Sequence, residues 1–369
     1  IKIVAGGPHA ALFTKETIEN RCIDFCVSGE GEIAFFKLIT AIENKKRPEE
    51  IPGIVTKQNK DKEIELQLIE DLDILPFPNR KLLKTEIYKS FITYSNPITI
   101  LNTSRGCAFN CYFCNSIERN KKVRLRSAKN VFEEIKEIKS LGINDILIFD
   151  ENFTFNIPRV EELCDLLIES NINVRWHCRS RIDSKLDLKI LKKMKKAGCR
   201  MIQFGIETGT QRLQKIINKN LDLNQVKEMI KLTKEAKILT YGNFMLGLPT
   251  ETEKEMHDSV KFAINLDLDY APFILFYPMP ESPFYLNGIK DGIIKHDYWL
   301  EYVKNPGKPL SQIYWPEHDP EILLNILKQA YKHFYYRPKY FAKALFRSQS
   351  PSLKFWQLKS ALKYLFKKK

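Results

Sequence analysis

Apolar positions along this chain recur with two periods, and the two alternate. Short runs rich in branched and aromatic residues fall at Ile98 to Asn102, Asp145 to Asp150, Asn173 to Cys178, Arg200 to Ile206, Leu239 to Leu246 and Ala271 to Tyr277. Between them, apolar residues return every three or four positions over Asn130 to Leu141, Arg159 to Glu169, Leu186 to Lys196, Gln211 to Ala236 (a pair of helices) and Thr252 to Leu266. Gly142 and Gly198 stand where helix C-caps are wanted. Strict strand–helix alternation predicts parallel strands joined by crossover helices. Six units in so short a stretch fall below the roughly 250 residues of a closed eight-fold barrel. The pattern therefore predicts an α/β fold built on an open, partial (β/α)6 TIM-type barrel. In such a barrel the reactive groups lie on loops at the C-terminal ends of the strands.

Outside this stretch the pattern is different. Residues 1–70 read as the end of an α/β unit: an apolar run from Ile1 to Ala5 enters Gly6-Gly7-Pro8-His9, and a strand at Phe25 to Val27 enters Gly29-Glu30-Gly31-Glu32. A helical period follows from Ile33 to Ile42, then an edge strand at Gly53 to Val55. Pro76 and Pro78 exclude regular helix or central strand from Asp71 to Arg80, so residues 71–96 are expected to form a linker. The barrel is expected over 97–285, and a helical, aromatic and basic region over 286–369.

Composition narrows the class. Of 369 residues 44% are hydrophobic and 28% charged, a globular balance. No apolar run reaches the length that spans a bilayer, and no signal peptide opens the chain, so the expected location is cytoplasmic. The chain begins at Ile1, inside a strand-like run, and is expected to be a fragment. The net charge of +14 is uneven: Glu321 to Lys369 holds twelve Lys or Arg and one acidic residue, leaving only +3 for the rest. The basicity belongs to a tail.

Eight cysteines, three of them within eight positions, point to a reducing compartment and a metal site. Cys107, Cys111 and Cys114 have the spacing C-x3-C-x2-C directly after the first barrel strand. Three thiolates on one loop can hold three irons of a [4Fe-4S] cluster, whose usual complement is four cysteines. The missing fourth ligand leaves one iron open to an external chelator. A zinc or ferredoxin-type site would want a fourth Cys or His close by, and none lies between Asn115 and Leu163.

With TSRGCAFNCYFC in this place, the sequence resembles the radical S-adenosylmethionine (radical SAM) enzymes, specifically their cobalamin-binding class. The resemblance extends over GGPHA, SGEGE, DLDILPFPNR, FDENFTFN, WHCRSRID, MKKAGCRMIQFGIETGTQ and GNFMLGLPTET. It implies a Rossmann-like cobalamin-binding domain whose C-terminal part is residues 1–70, with Gly6, Gly7, Gly29, Glu30, Gly31 and Glu32 near the cobalamin. It further implies that S-adenosylmethionine chelates the open iron, that Phe113 lies beside the adenine, and that Glu207 approaches the ribose and amine. Arg181 would meet the cofactor's carboxylate, and Gly247 would allow close backbone approach. One electron, from a donor such as flavodoxin or ferredoxin, would then break the sulfonium bond and yield a 5'-deoxyadenosyl radical.

Other residues are assigned to structure. Cys22, Cys26, Cys164, Cys178 and Cys199 are expected as core thiols, and His9 and His177 as packed, hydrogen-bonded histidines. Asp150 and Asn152 end the second barrel strand, where facing the cavity and closing a loop are equally open. Tyr331 to Phe341 is expected to be helix packing. Ser352 to Lys369 fits a basic amphipathic helix, either on an anionic inner membrane surface or docked on its own protein. The expected activity is C-methylation, cyclisation or rearrangement of a lipid, tetrapyrrole or natural product. An iron-sulfur electron carrier or sensor, and a tRNA-modifying enzyme, are the alternatives, although the tail holds no recognisable RNA module.

Overall fold

The computed structural model describes residues 1–62, 67–90, 92–115, 122–183, 185–307, 310, 314–340 and 343. In chain order the first elements are β1 (Val4–Ala5), α1 (Pro8–Leu12), α2 (Thr14–Glu19), β2 (Phe25–Val27), α3 (Gly31–Glu43) and β3 (Ile54–Val55). The central stretch follows with β4 (Ile98–Leu101), β5 (Ser104–Arg105), β6 (Arg124–Leu125), α4 (Ala128–Ser140), β7 (Asp145–Ile148), α5 (Ile157–Glu169), β8 (Arg175–Arg181), α6 (Leu188–Lys196) and β9 (Cys199–Glu207). Next come α7 (Gln211–Ile216), α8 (Leu223–Glu235), β10 (Leu239–Leu246), α9 (Glu253–Asn265) and β11 (Phe273–Leu275). The last are α10 (Pro283–Lys290), α11 (Tyr298–Lys304) and α12 (Pro320–Tyr335).

The chain divides into two compact units. The smaller takes Ile1–Leu75, Phe109–Lys121 and Tyr277–Pro316; the larger takes Pro76–Ala108, Lys122–Phe276 and Glu317–Lys369. In the smaller unit β1 pairs parallel with β2, and β3 lies antiparallel at its edge as the pattern predicts. Phe25, Val27, Ile54, Ala34 and Leu38 pack α3 against this sheet. Helices α1 and α2 escape a periodicity reading because five- and six-residue helices are shorter than the window a period needs.

The larger unit is the partial barrel. Its sheet has the order β11-β10-β9-β8-β7-β4, and every neighbouring pair is parallel. Boundaries follow from capping chemistry. Ser127, Asn156, Asp187 and Asp222 each accept a backbone N–H of the following helix's first turn, and Thr252 with Glu255 forms a capping box on α9. One sheet face is dry: Trp176, Phe204, Phe244 and Phe273 are fully buried. The other face is polar and partly open, with Arg179, Gln203, Tyr241 and Asn243 half-buried. This alternation differs from the continuous apolar runs of a sheet buried on both sides. The basic tail, from Ser352 on, lies outside the described residues, and among the described residues no helix is long and apolar enough to cross a membrane. Tyr331, Phe334, Tyr335 and Tyr340 pack ring on ring around α12, the helix packing expected of this aromatic stretch.

Three expectations are corrected. Cys22 is exposed in a turn and is not a core thiol. His9 is exposed as well, resting against Phe13 with ring centroids 5.5 Å apart. His177 is packed on β8 as expected, but among the described residues neither ring nitrogen has a hydrogen-bond partner. Its burial holds the imidazole neutral, with the pKa lowered to about 4 despite the pull of Asp145. Because the unfolded imidazole takes up its proton near pH 6.5, the unfolded state binds more protons between these values. Stability from this residue is therefore complete above pH 6.5 and falls toward pH 4, by on the order of 3 kcal/mol. Urea midpoints of wild type and His177→Met at pH 7 and pH 4.5 test this: the variant should lose markedly less on acidification, and equal losses would remove His177 as the cause.

Candidate active site

The cysteine loop leaves the C-terminal end of β4, the first barrel strand, and its base is pinned by charge. Asp150, just beyond β7 and 1% exposed, accepts from the Thr103 N–H at 2.6 Å, the Thr103 hydroxyl at 2.5 Å and the Ser104 N–H at 3.2 Å. Arg159 of α5 donates to the Thr103 carbonyl and hydroxyl at 2.9 and 3.0 Å and lies 3.9 Å from Asp150. Strands β5 and β6 then pair antiparallel across the base of the loop. Of its two open roles Asp150 thus takes loop closure. Asn152 does likewise, accepting from the Arg181 N–H at 3.1 Å and the Thr154 hydroxyl at 3.2 Å.

Within the loop, the Cys114 N–H donates to the Cys111 carbonyl at 3.1 Å, a tight turn around Phe113. Cys111 is buried, Cys107 and Cys114 are half-buried, and none is in a disulfide. Among the described residues no group of three or more His, Cys, Asp or Glu forms a metal-holding arrangement. The donor chemistry nevertheless fits an iron-sulfur cluster: three soft thiols, and no fourth Cys or His on the same loop.

The ends of β8 and β9 carry a linked set of charges. Glu207, 8% exposed, has φ +70°, an uncommon backbone state for a residue other than glycine, and it follows a register shift between β9 and β10. Its carboxylate pairs with Lys219, also buried, at 2.6 Å. A Cβ on Gly205 would come within 2.4 Å of the Glu207 carboxylate and 2.6 Å of the Lys219 ammonium, so a larger residue there would push this pair aside. Arg181 is gripped by Asp183 through two bonds of 2.9 and 2.8 Å, and it also donates to the Lys219 carbonyl at 3.0 Å. The sequence pattern singles out Glu207 and Arg181 but not Lys219 or Asp183. Lys219 lies in the turn between α7 and α8, where a lysine carries no distinguishing pattern.

Gly247 ends β10 at φ +82°. Its N–H and that of Leu248 donate to Glu251 at 2.7 and 2.9 Å. Burial pushes the Glu251 carboxyl up to about 8 in spite of these two donors. In the smaller unit the Gly29-Glu30 turn receives the chain's own backbone: Glu30 donates to the Gln67 carbonyl at 3.0 Å, and its carboxylate accepts from the Ile69 N–H at 2.7 Å. A Cβ on Gly29 would meet the Gln67 carbonyl at 2.7 Å. Gly7, beside Gly6, has open space around it at φ +88°. Gly31 and Glu32 open α3, where the acidic side chain suits a helix N-terminus.

The family model described as the Radical SAM superfamily matches residues 101–263. An uncharacterized methyltransferase of Pyrococcus horikoshii is 32% identical over 350 residues, covering 93% of this chain and 74% of its own. The chain belongs to the radical SAM superfamily. Magnesium-protoporphyrin IX monomethyl ester cyclase of Rubrivivax gelatinosus, an anaerobic enzyme, is 30% identical over 291 residues, 76% of this radical SAM chain and 52% of its own length. Among solved structures, the cobalamin-dependent S-adenosylmethionine radical enzyme OxsB aligns with a TM-score of 0.72 at 18% identity, over 98% of this chain and 58% of that one. The radical SAM methyltransferase TsrM of Kitasatospora setae gives 0.65 at 19% identity, over 79% and 59%. At these identities the likeness is one of fold, and it bears out the partial barrel.

Asp150 supplies the test of how the cysteine loop is anchored. Asp150→Ala removes the acceptor of three buried donors and the carboxylate beside Arg159, and should destabilise the protein by about 3 kcal/mol. Asp150→Asn, which keeps an acceptor, should cost less than half of that. Urea denaturation of both variants decides it, and an Ala variant within experimental error of wild type refutes the anchoring role.

Proposed function

We propose that this chain is the catalytic part of a cobalamin-dependent radical SAM enzyme that methylates or cyclises a small molecule at an unactivated carbon. The observation that carries the reading is the place of the three-cysteine loop at the C-terminal end of the first strand of a six-stranded parallel sheet. The relatives' activities, methyl transfer and magnesium-protoporphyrin cyclisation, support the reaction class. OxsB and TsrM, described with cobalamin bound, support the second cofactor.

In this reading Cys107, Cys111 and Cys114 hold a [4Fe-4S] cluster, with one iron left for S-adenosylmethionine. When bound, that pair supplies one-electron cleavage of a sulfonium bond and a carbon radical able to take hydrogen from a C–H group. The chain's own part is positioning. Phe113 offers an apolar ring beside the adenine. Glu207, fixed by Lys219, accepts from the ribose and amine. Arg181, oriented by Asp183, faces the cofactor carboxylate. Glu251 holds the Gly247 turn at the end of β10. Gly6, Gly7 and the Gly29 to Glu32 turn line the cobalamin side, and the electron comes from a flavodoxin- or ferredoxin-type donor. Substrates of the lipid, tetrapyrrole or natural-product classes fit the reading, with the basic tail as a contact for an anionic membrane surface.

Anaerobic reconstitution with iron and sulfide, then dithionite and S-adenosylmethionine, tests it. Wild type should accumulate 5'-deoxyadenosine, and the Cys107→Ala, Cys111→Ala and Cys114→Ala variants should each fall by at least a hundredfold. A reducible cluster that never consumes S-adenosylmethionine would instead identify an electron carrier and end the catalytic reading.

A further inference from the structure

The polar face of the six-stranded sheet carries a row of groups that the larger unit does not use for itself. Arg179, Gln203 and Tyr241 are register partners on β8, β9 and β10, so their side chains leave one face at strand spacings of about 4.8 Å. Asn243 lies two residues further along β10, on the same face. Strand β8 places Arg175, Arg179 and Arg181 on this face, with His177 in the layer between the first two. Arg175, two layers down, is paired with Asp145 at 2.7 Å, and Arg181, one layer up, is paired with Asp183 at 2.8 Å. Arg179 differs: among the described residues it has no hydrogen bond and no ion pair. Glu151 attracts it only from beyond ion-pair range, and burial weakens its hold on the proton without neutralising it.

The guanidinium instead lies flat over Phe149, its carbon 3.5 Å from the ring centroid. Stacking covers a face of the group and leaves its N–H edge open, the edge that grips a carboxylate or phosphate with two parallel bonds. Two further donors stand on the same face. The Gln203 amide donates to the Asn243 oxygen at 3.1 Å, and among the described residues the Asn243 NH2 has no acceptor. The Tyr241 hydroxyl has no partner among the described residues; burial keeps the phenol protonated, and it lies within the field of Arg179. A cation and two neutral donors share this face, and no described carboxylate is paired with the cation.

We propose that Arg179, Tyr241 and Asn243 form an anion-binding subsite that holds a carboxylate or phosphate group of the substrate. The assignment of that anion as substrate rests on the function proposed above; the existence of the subsite does not.

The test titrates the reconstituted full chain with benzoate and with inorganic phosphate, using benzamide as the neutral control, and reads dissociation constants by calorimetry. At least one anion should bind saturably and benzamide should not. Arg179→Gln should weaken the anion roughly tenfold or more, since a charge-assisted pair is lost. Arg179→Lys, which keeps charge but not the fork, should fall between, and Tyr241→Phe should weaken binding severalfold. If Arg179→Gln does not fold, the Lys and Phe variants carry the test. The tighter of the two anions names the substrate group. Equal binding by wild type and the Arg179 variants, or no saturable binding of either anion, overturns the subsite. Failure of wild type to form 5'-deoxyadenosine overturns the proposed function instead, and leaves the titration result standing.

Discussion

A carboxylate taken out of water without compensation costs more than any single packing contact returns, and the geometry of this barrel's mouth follows from that constraint. Asp150 is almost fully buried, and it is tolerated because Thr103, Ser104 and Arg159 converge on it. The same need makes it a clamp: the residues that satisfy the charge are those where the cysteine loop leaves the sheet. Glu207 and Lys219 repeat the logic at the end of β9, with Gly205 supplying the space. Arg80, Arg126 and Glu134 repeat it where the segment before β4 meets α4, with Arg80 2.6 Å and Arg126 2.5 Å from the glutamate. Asp150 and Glu134 each have partners from more than one segment, and so tie those segments together.

Much of this was legible from sequence for a local reason. The barrel's strands and helices were readable because the apolar period changes sharply from one to the next, and Gly142 and Gly198 mark helix ends. The cysteine motif was readable because its spacing is contiguous. What escaped was non-local. Lys219 is twelve residues from Glu207 and has no local signature. Phe109–Lys121 and Tyr277–Pro316 group with the amino-terminal strands, yet no periodicity announces it. Cys164, Cys178 and Cys199 look solitary in sequence, but they lie close together: burial, and to a lesser extent the neighbouring Cys199, pushes the Cys164 and Cys178 thiols up. Those two thiols remain protonated, unreactive filling. His177 was misjudged in the other direction: packing was foreseen, but its lack of partners could not be, because hydrogen bonds depend on the neighbouring strands' registers.

The two arginines at positions 179 and 181 show what the charge constraint does to function. They stand on the same face of one strand, a single side-chain layer apart, and their surroundings separate their roles. Arg181 has given its fork to Asp183, and what it offers a ligand is direction, because its donors are held in place. Arg179 rests on an aromatic ring, which orients the guanidinium without neutralising it. Of the three arginines that this strand places on one face, the first and third are paired with carboxylates, and among the described residues the middle one is not. For a catalyst that handles radicals this division has a use. A ligand tethered by its anionic end can present a distant, unactivated carbon in a fixed position, and in such chemistry selectivity depends on which hydrogen lies nearest.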